Sequence, residues 1–261
     1  MRRLLPVLAL LLAGAAQAAP AITSGPTGGS AHATTNNLAL TSVAASAGDL
    51  LLVFMGWGGN GDPGTFSIAD SGGSGSFGAW SSPVALQNTG DPIHVQTMFF
   101  WAVASTAVAG KTATVTWSNT VATDADAFWL TVSGANNAAP VGGSSTAFNN
   151  NGSTALLNIT TTGTGSLVLM GVGDWTANAL GGVNGTSTSL ITQGTVGTSQ
   201  AGLQRITALV DAGAQAMSRT LGGADVYTAS AVEILAGAEA GASPPVRLPF
   251  GPARRGWRVV P

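Results

Sequence analysis

The chain has 261 residues, of which 45% are hydrophobic and only 8% charged, with 37 glycines and a formal net charge of −2. It contains no cysteine, which excludes thiol catalysis, thiolate metal sites, iron–sulfur clusters and disulfides, so stability has to come from a packed core; a chain of this length buries roughly 70–75% of its unfolded surface. Between Ala19 and Val246 three cations face eleven acids, a net −8, and since phosphate neutralisation needs clustered Lys and Arg, nucleic acid is excluded as a partner.

The first 18 residues, "MRRLLPVLALLLAGAAQA", join a paired-arginine start to a short apolar run and a small-x-small ending. This is the pattern of a signal peptide cleaved after Ala18. The run is shorter than the ~20 residues a permanent span needs, and no later stretch is long enough, so no transmembrane segment remains after cleavage. The expected location is extracellular or the cell surface, with the periplasm as the alternative.

From Leu38 to Ala236 the hydrophobic period is two, broken by Gly, Asn, Pro and Ser clusters. "DLLLVFMGW" and "SLVLMGV" are apolar on both faces, as in central strands covered on both sides. "TFSIAD", "TATVTW", "AFWLTV", "LNITTT" and "AVEIL" alternate, and no amphipathic helix follows the leader. About a dozen short strands of this kind predict an all-β fold, a two-sheet antiparallel β-sandwich or jelly roll.

The chain also echoes itself. "AGDLLLVFMGWG" aligns with "TGSLVLMGVGDW", setting Leu50 on Leu167 and Gly56 on Gly173, and "AFWLTVSGA" aligns with "ASAVEILAG". One sandwich domain over 19–237, made of halves at about 38–134 and 153–237, is expected, because neither half alone has many strands to close a core. Asn136 to Ser153 would connect them. Residues 238–261 hold four prolines between Pro244 and Pro252, with Arg254, Arg255, Trp257 and Arg258 close behind. Such a segment cannot be a central strand; it reads as a basic tail that grips an acidic partner, or as a solvated end.

The series "SIADSGGSGSFGAW", "MFFWAVA", "AGKTATVTW" and "FWLTVSGA" resembles a loose family of secreted bacterial and phage-borne β-sandwich modules. The resemblance covers Leu38 to Gly134 and more weakly Ser166 to Gly237. It implies a jelly-roll-like fold and an extracellular setting, and it carries no activity, since most such modules have none assigned. Phage-borne members sit on virions, whereas the leader here points to a bacterial surface or secreted protein.

Residues suited to chemistry are sparse. His94 lacks a nucleophile elbow beside it, and with His32 it gives too few ligands for a transition-metal site. Glu233 aligns with Thr131 and reads as an ordinary outward-facing position, which leaves few acids for the opposed pair of a glycoside hydrolase. The acids of "DAD", Asp124 and Asp126, lie on one side of a strand and could share a structural calcium, or simply repel each other at a surface. Trp57, Trp80 and Trp175 stand beside glycine-rich loops with Asp62 and Asp70 nearby, the combination that stacks a sugar ring and reads its hydroxyls. The glycines themselves are also what any turn between strands requires. The reading is thus an exported protein without catalysis or obligate cofactor that binds a glycan or another envelope component. The alternatives are an adhesin-like assembly module acting by protein contacts and self-association, and a hydrolase.

Overall fold

The computed structural model describes residues 18–81, 84–87, 94–175, 179–195 and 199–237. Among them the protein is all-β, with no helix and only antiparallel pairing. Its strands are β1 (Ala21–Ala45), β2 (Leu50–Gly59), β3 (Phe66–Ser71), β4 (Val84–Gln87), β5 (His94–Val103), β6 (Val108–Ser133), β7 (Val141–Thr161), β8 (Leu167–Asp174), β9 (Leu180–Val183), β10 (Ser187–Thr195), β11 (Ser199–Ile206) and β12 (Gly213–Ile234). Residues 1–17, which hold most of the expected signal peptide, and the segment from residue 238 onward, with Arg254, Arg255, Trp257 and Arg258, lie outside the described residues.

Two six-stranded sheets form, with orders β1-β6-β2-β5-β4 and β7-β12-β8-β11-β10; β3 adds to β6 and β9 to β12. The second order is the first with every strand advanced by six. Register carries the correspondence to single residues. Gly56 stands opposite Asp126 and Thr97, and Gly173 opposite Thr228 and Ala201. The pairs Leu50/Leu167 and Ala127/Ala229 read from the sequence obey the same register.

The core differs from one layer between two flat sheets. Alternation in β2 sends Leu51, Val53, Met55 and Trp57 to one cluster and Leu50, Leu52 and Phe54 to another. The first cluster belongs to the first half alone. It unites Val115 and Trp117 from the start of β6 with Ala125, Ala127 and Trp129 from its end, so this 26-residue strand curls and the sheet nearly closes on itself like a barrel. In the second half Met217 and Leu221 likewise meet Tyr227, Ala229 and Ala231 around Val168 and Met170. The remaining faces of β2 and β8 join the halves, Leu50, Phe54 and Phe128 packing with Leu167, Leu169 and Val232. Each half therefore encloses a core of its own, and a further core lies between the halves; curling lets six strands do what six flat ones cannot.

Strands also begin earlier than the apolar pattern does. β1 starts at Ala21 and β7 at Val141, although "SGPTGGSAHATTNN" and "GGSSTAFNNNGS" show little hydrophobic alternation. Both are outer strands of their sheets. They are held by long backbone ladders to β6 and β12, and such ladders make small demands on side chains.

Where β2 and β8 cross, each residue faces its own counterpart. A Cβ on Gly56 would lie 3.3 Å from the Gly173 Cα, and one on Gly173 would lie 3.2 Å from the Gly56 Cα. The Phe54 ring fills the space a side chain at Gly171 would need, and the Trp175 ring fills the space above Gly58. A local two-fold axis thus runs through this crossing, and at each bulky position one partner is glycine.

Candidate functional site

Of the residues singled out from the sequence, Asp70 and Trp80 come together. Asp70, next to last in β3, lies on the side that Phe66 and Ile68 turn to the first core. The Trp80 indole Nε1–H donates to Asp70 Oδ1 at 3.1 Å, and Lys111 Nζ lies 2.8 Å from Oδ2. Burial raises the Asp70 pKa, but hydrogen bonds from Lys111 and Trp80 and the lysine charge outweigh it and hold the carboxyl below its ordinary value. The half-buried Trp80 ring leans on Phe77, centroids 5.8 Å apart and planes tilted by 49°. Between them the chain crosses β6 at Gly73 and Gly75, both at positive φ, where a Cβ would strike the backbone at Ala109 and Ala107. The glycine-rich stretch therefore brings an aromatic pair against the first core.

Trp57 is placed otherwise than expected. It is 1% exposed, edge-on to Phe66 at 6.0 Å and to Trp117 at 6.4 Å, and so belongs to the core. The strand read as "DLLLVFMGW" puts Trp57 at its end, beside a glycine-rich loop, yet β2 runs on to Gly59. Asp62 accepts the Gly64 N–H at 2.8 Å within a turn. Trp175 is half-buried above Gly58, whose partner across the ladder is Asp124. Asp126, two residues on, is 1% exposed. The "DAD" acids share a side of β6 as alternation requires, at the end of the face between the halves. Among the described residues no three His, Asp or Glu side chains converge as a metal group would need. His94 pairs with Gly59, and Asp91, the acid three residues before it in the sequence, lies outside the described residues.

Three deeply buried charges escaped the sequence reading. Glu233, expected to face outward, has no exposed surface. Its carboxylate accepts N–H groups from Gly143 (2.7 Å), Gly163 (2.8 Å) and Thr162 (2.9 Å) and the Thr162 hydroxyl (3.0 Å). Burial raises its pKa, but these donors prevail and hold it low. Arg219, 2% exposed, donates from Nη2 to Ser189 and Thr192 inside the second barrel. Burial pushes its pKa down to about 10 against the opposing pull of Asp174. Asp174 Oδ1 in turn accepts the Gln200 N–H at 2.9 Å. Only the inward side of β8 and β12 marks these residues in the sequence, and reading it requires the strand register.

No protein-family model, curated protein or solved structure matches the chain.

Proposed function

We propose that the chain is an exported, non-catalytic β-protein, its two curled sheets packed as a jelly-roll-like sandwich, that binds a neutral glycan or comparable envelope component on the Trp80 platform. The observation that carries this reading is the half-buried indole fixed between Phe77 and the Asp70–Lys111 pair. A ring immobilised before binding loses little rotamer entropy when a sugar stacks on it, and the polar groups at its edge serve hydroxyls. Asp174 and Glu233 each accept N–H groups of their own chain, which fits a structural use of the buried acids. The leader pattern of residues 1–18 supports export.

The test is a glycan array probed with the wild-type protein, Trp80→Ala and Trp80→Phe. Binding that is lost in the alanine variant and largely kept in the phenylalanine variant is expected. Equal signals from wild type and Trp80→Ala would remove the platform from the proposal.

A further inference from the structure

The second half holds an open cleft of about 520 Å³, lined by Asn184, Thr186, Thr207 and Gln215 with Ile206, Ala208 and Ala216. The correspondence between the halves says what this space is. Ala104, which bridges Phe77 in the first half, corresponds to Ala208. Ala113, the ladder partner of Asp70, corresponds to Gln215. The cleft lies where the first half seats the end of β3 and its Phe77–Trp80 cover. It is open because β9 stops at Val183 and the chain enters β10 after only Asn184–Thr186.

Two features describe what would fill it. β9 pairs with β12 only at Arg219 and Leu221, so β12 has no neighbour on that side along Ala214–Ala216 among the described residues. The carbonyls of Ser218 and Ala216 accept from the Asn184 N–H and Nδ2, which shows that residues 214, 216 and 218 aim their backbone groups into the gap. Leu209, next to Ala208, is 42% exposed, and no charged side chain lines the cleft. The complement is an extended polypeptide bearing an aromatic ring, as in the first half.

We propose that Val246–Pro261 of the same chain docks here as an added strand beside Ala214–Ala216, with Trp257 in the role that Trp80 has in the first half. Main-chain bonds along an open edge with a side chain in a pocket are the usual terms of strand addition. The segment carries four arginines and no acid, against the net −8 of Ala19–Val246. It also departs from the right end of the fold. Glu233, near the end of β12, is bound to Thr162 and Gly163, while Thr161 donates to the Asp211 and Gly213 carbonyls at the start of β12. The ends of β12 therefore meet, close to the cleft. The twenty residues from Gly237 to Trp257 span up to about 66 Å when extended.

A chain without cysteine permits a clean disulfide trap in the full-length protein. Gln215→Cys is combined with Val259→Cys, and Thr120→Cys with Val259→Cys serves as a control at an exposed position of β6 in the other half. The first pair should close within single chains about tenfold faster or more. Backbone amide exchange at Ala214 and Ala216 should speed up in Trp257→Ala and on removal of Val246–Pro261. Equal closure rates, bridges formed only between chains, or exchange indifferent to both changes would overturn the proposal. So would protection of these amides by a neutral saccharide to the same extent with and without the segment.

Discussion

The interiors of the two curled halves meet the same backbone positions with opposite chemistry. In the first half Trp57 and Trp117 lie edge to face; their counterparts in the second are Asp174 and Arg219, which attract each other across the same space. Smaller neighbours make room for the guanidinium, which lies over Gly202 where the first half has Met98. Gln204 replaces Phe100 and donates to the Ser218 carbonyl at 3.2 Å. The fold asks these positions for volume and complementarity, and either an aromatic pair or two opposite charges supply them. They should differ in how they fail. Arg219→Ala leaves Asp174 in a dry interior without its cation and should cost about 3–5 kcal/mol in urea unfolding. Arg219→Met with Asp174→Leu, which restores the apolar solution, should cost clearly less than the single change. If the double variant is no better, the penalty lies in packing and the comparison of charge with aromatic filling fails.

The axis between the halves sharpens the comparison further. A symmetric crossing cannot hold two phenylalanines at Phe54 and Gly171, nor two tryptophans at Gly58 and Trp175, and each pair has resolved the conflict in the opposite direction. Phe54→Gly empties the slot and should cost about 3–5 kcal/mol. Gly171→Phe overfills it and should cost about 1–3 kcal/mol or more. Combining them moves the ring across the axis and should recover at least about 1 kcal/mol of the summed losses, a coupling that a double-mutant cycle measures directly. Strict additivity would mean that the two positions do not share one space.

Much of this arrangement was legible before any coordinates. Doubly apolar β2 and β8 showed themselves as central strands, and the alignment of Leu50 with Leu167 and Ala127 with Ala229 coincides with the observed register. The Asp70–Trp80 pair was visible as a tryptophan near an acid. What could not be read depends on curvature. That β6 and β12 bend until their two arms meet around a core follows from long-range pairing, which gives each half a core of its own beside the one between them. Trp57 looked loop-borne because glycines surround it, but Gly56 and Gly58 are there to let β8 and the Trp175 ring approach. Glu233 looked solvent-facing because its donors, Gly143, Thr162 and Gly163, lie 70 to 90 positions away.

Glu233 separates the halves by pH. Its counterpart Thr131 shares a hydroxyl contact of 3.1 Å with Thr23, which does not titrate. A carboxyl whose folded pKa is depressed stabilises fully above its unfolded value of about 4.3 and stops doing so as pH falls through the lower folded value. Glu233→Gln should therefore cost about 1–3 kcal/mol at neutral pH, with the gap to wild type narrowing below about pH 4. Melting curves at pH 7 and pH 3 check this; a gap constant across that range would place the defect in shape alone.

The smallest effect belongs to the platform. Lys111 and Asp70 keep 11% and 19% of their side chains exposed, so water and salt screen the pair, and Asp70→Asn should change stability by no more than about 1 kcal/mol. The asparagine carbonyl can still accept the Trp80 N–H, so the ring stays in place and glycan binding should persist. Asp70→Ala removes the acceptor as well, and with a free indole edge the platform loses its preorganisation. Binding on the array should then fall while the melting temperature moves little. If Asp70→Asn abolishes binding as completely as Asp70→Ala, the ligand needs the negative charge itself, and a brace for the ring with an oxygen for hydroxyls does not suffice.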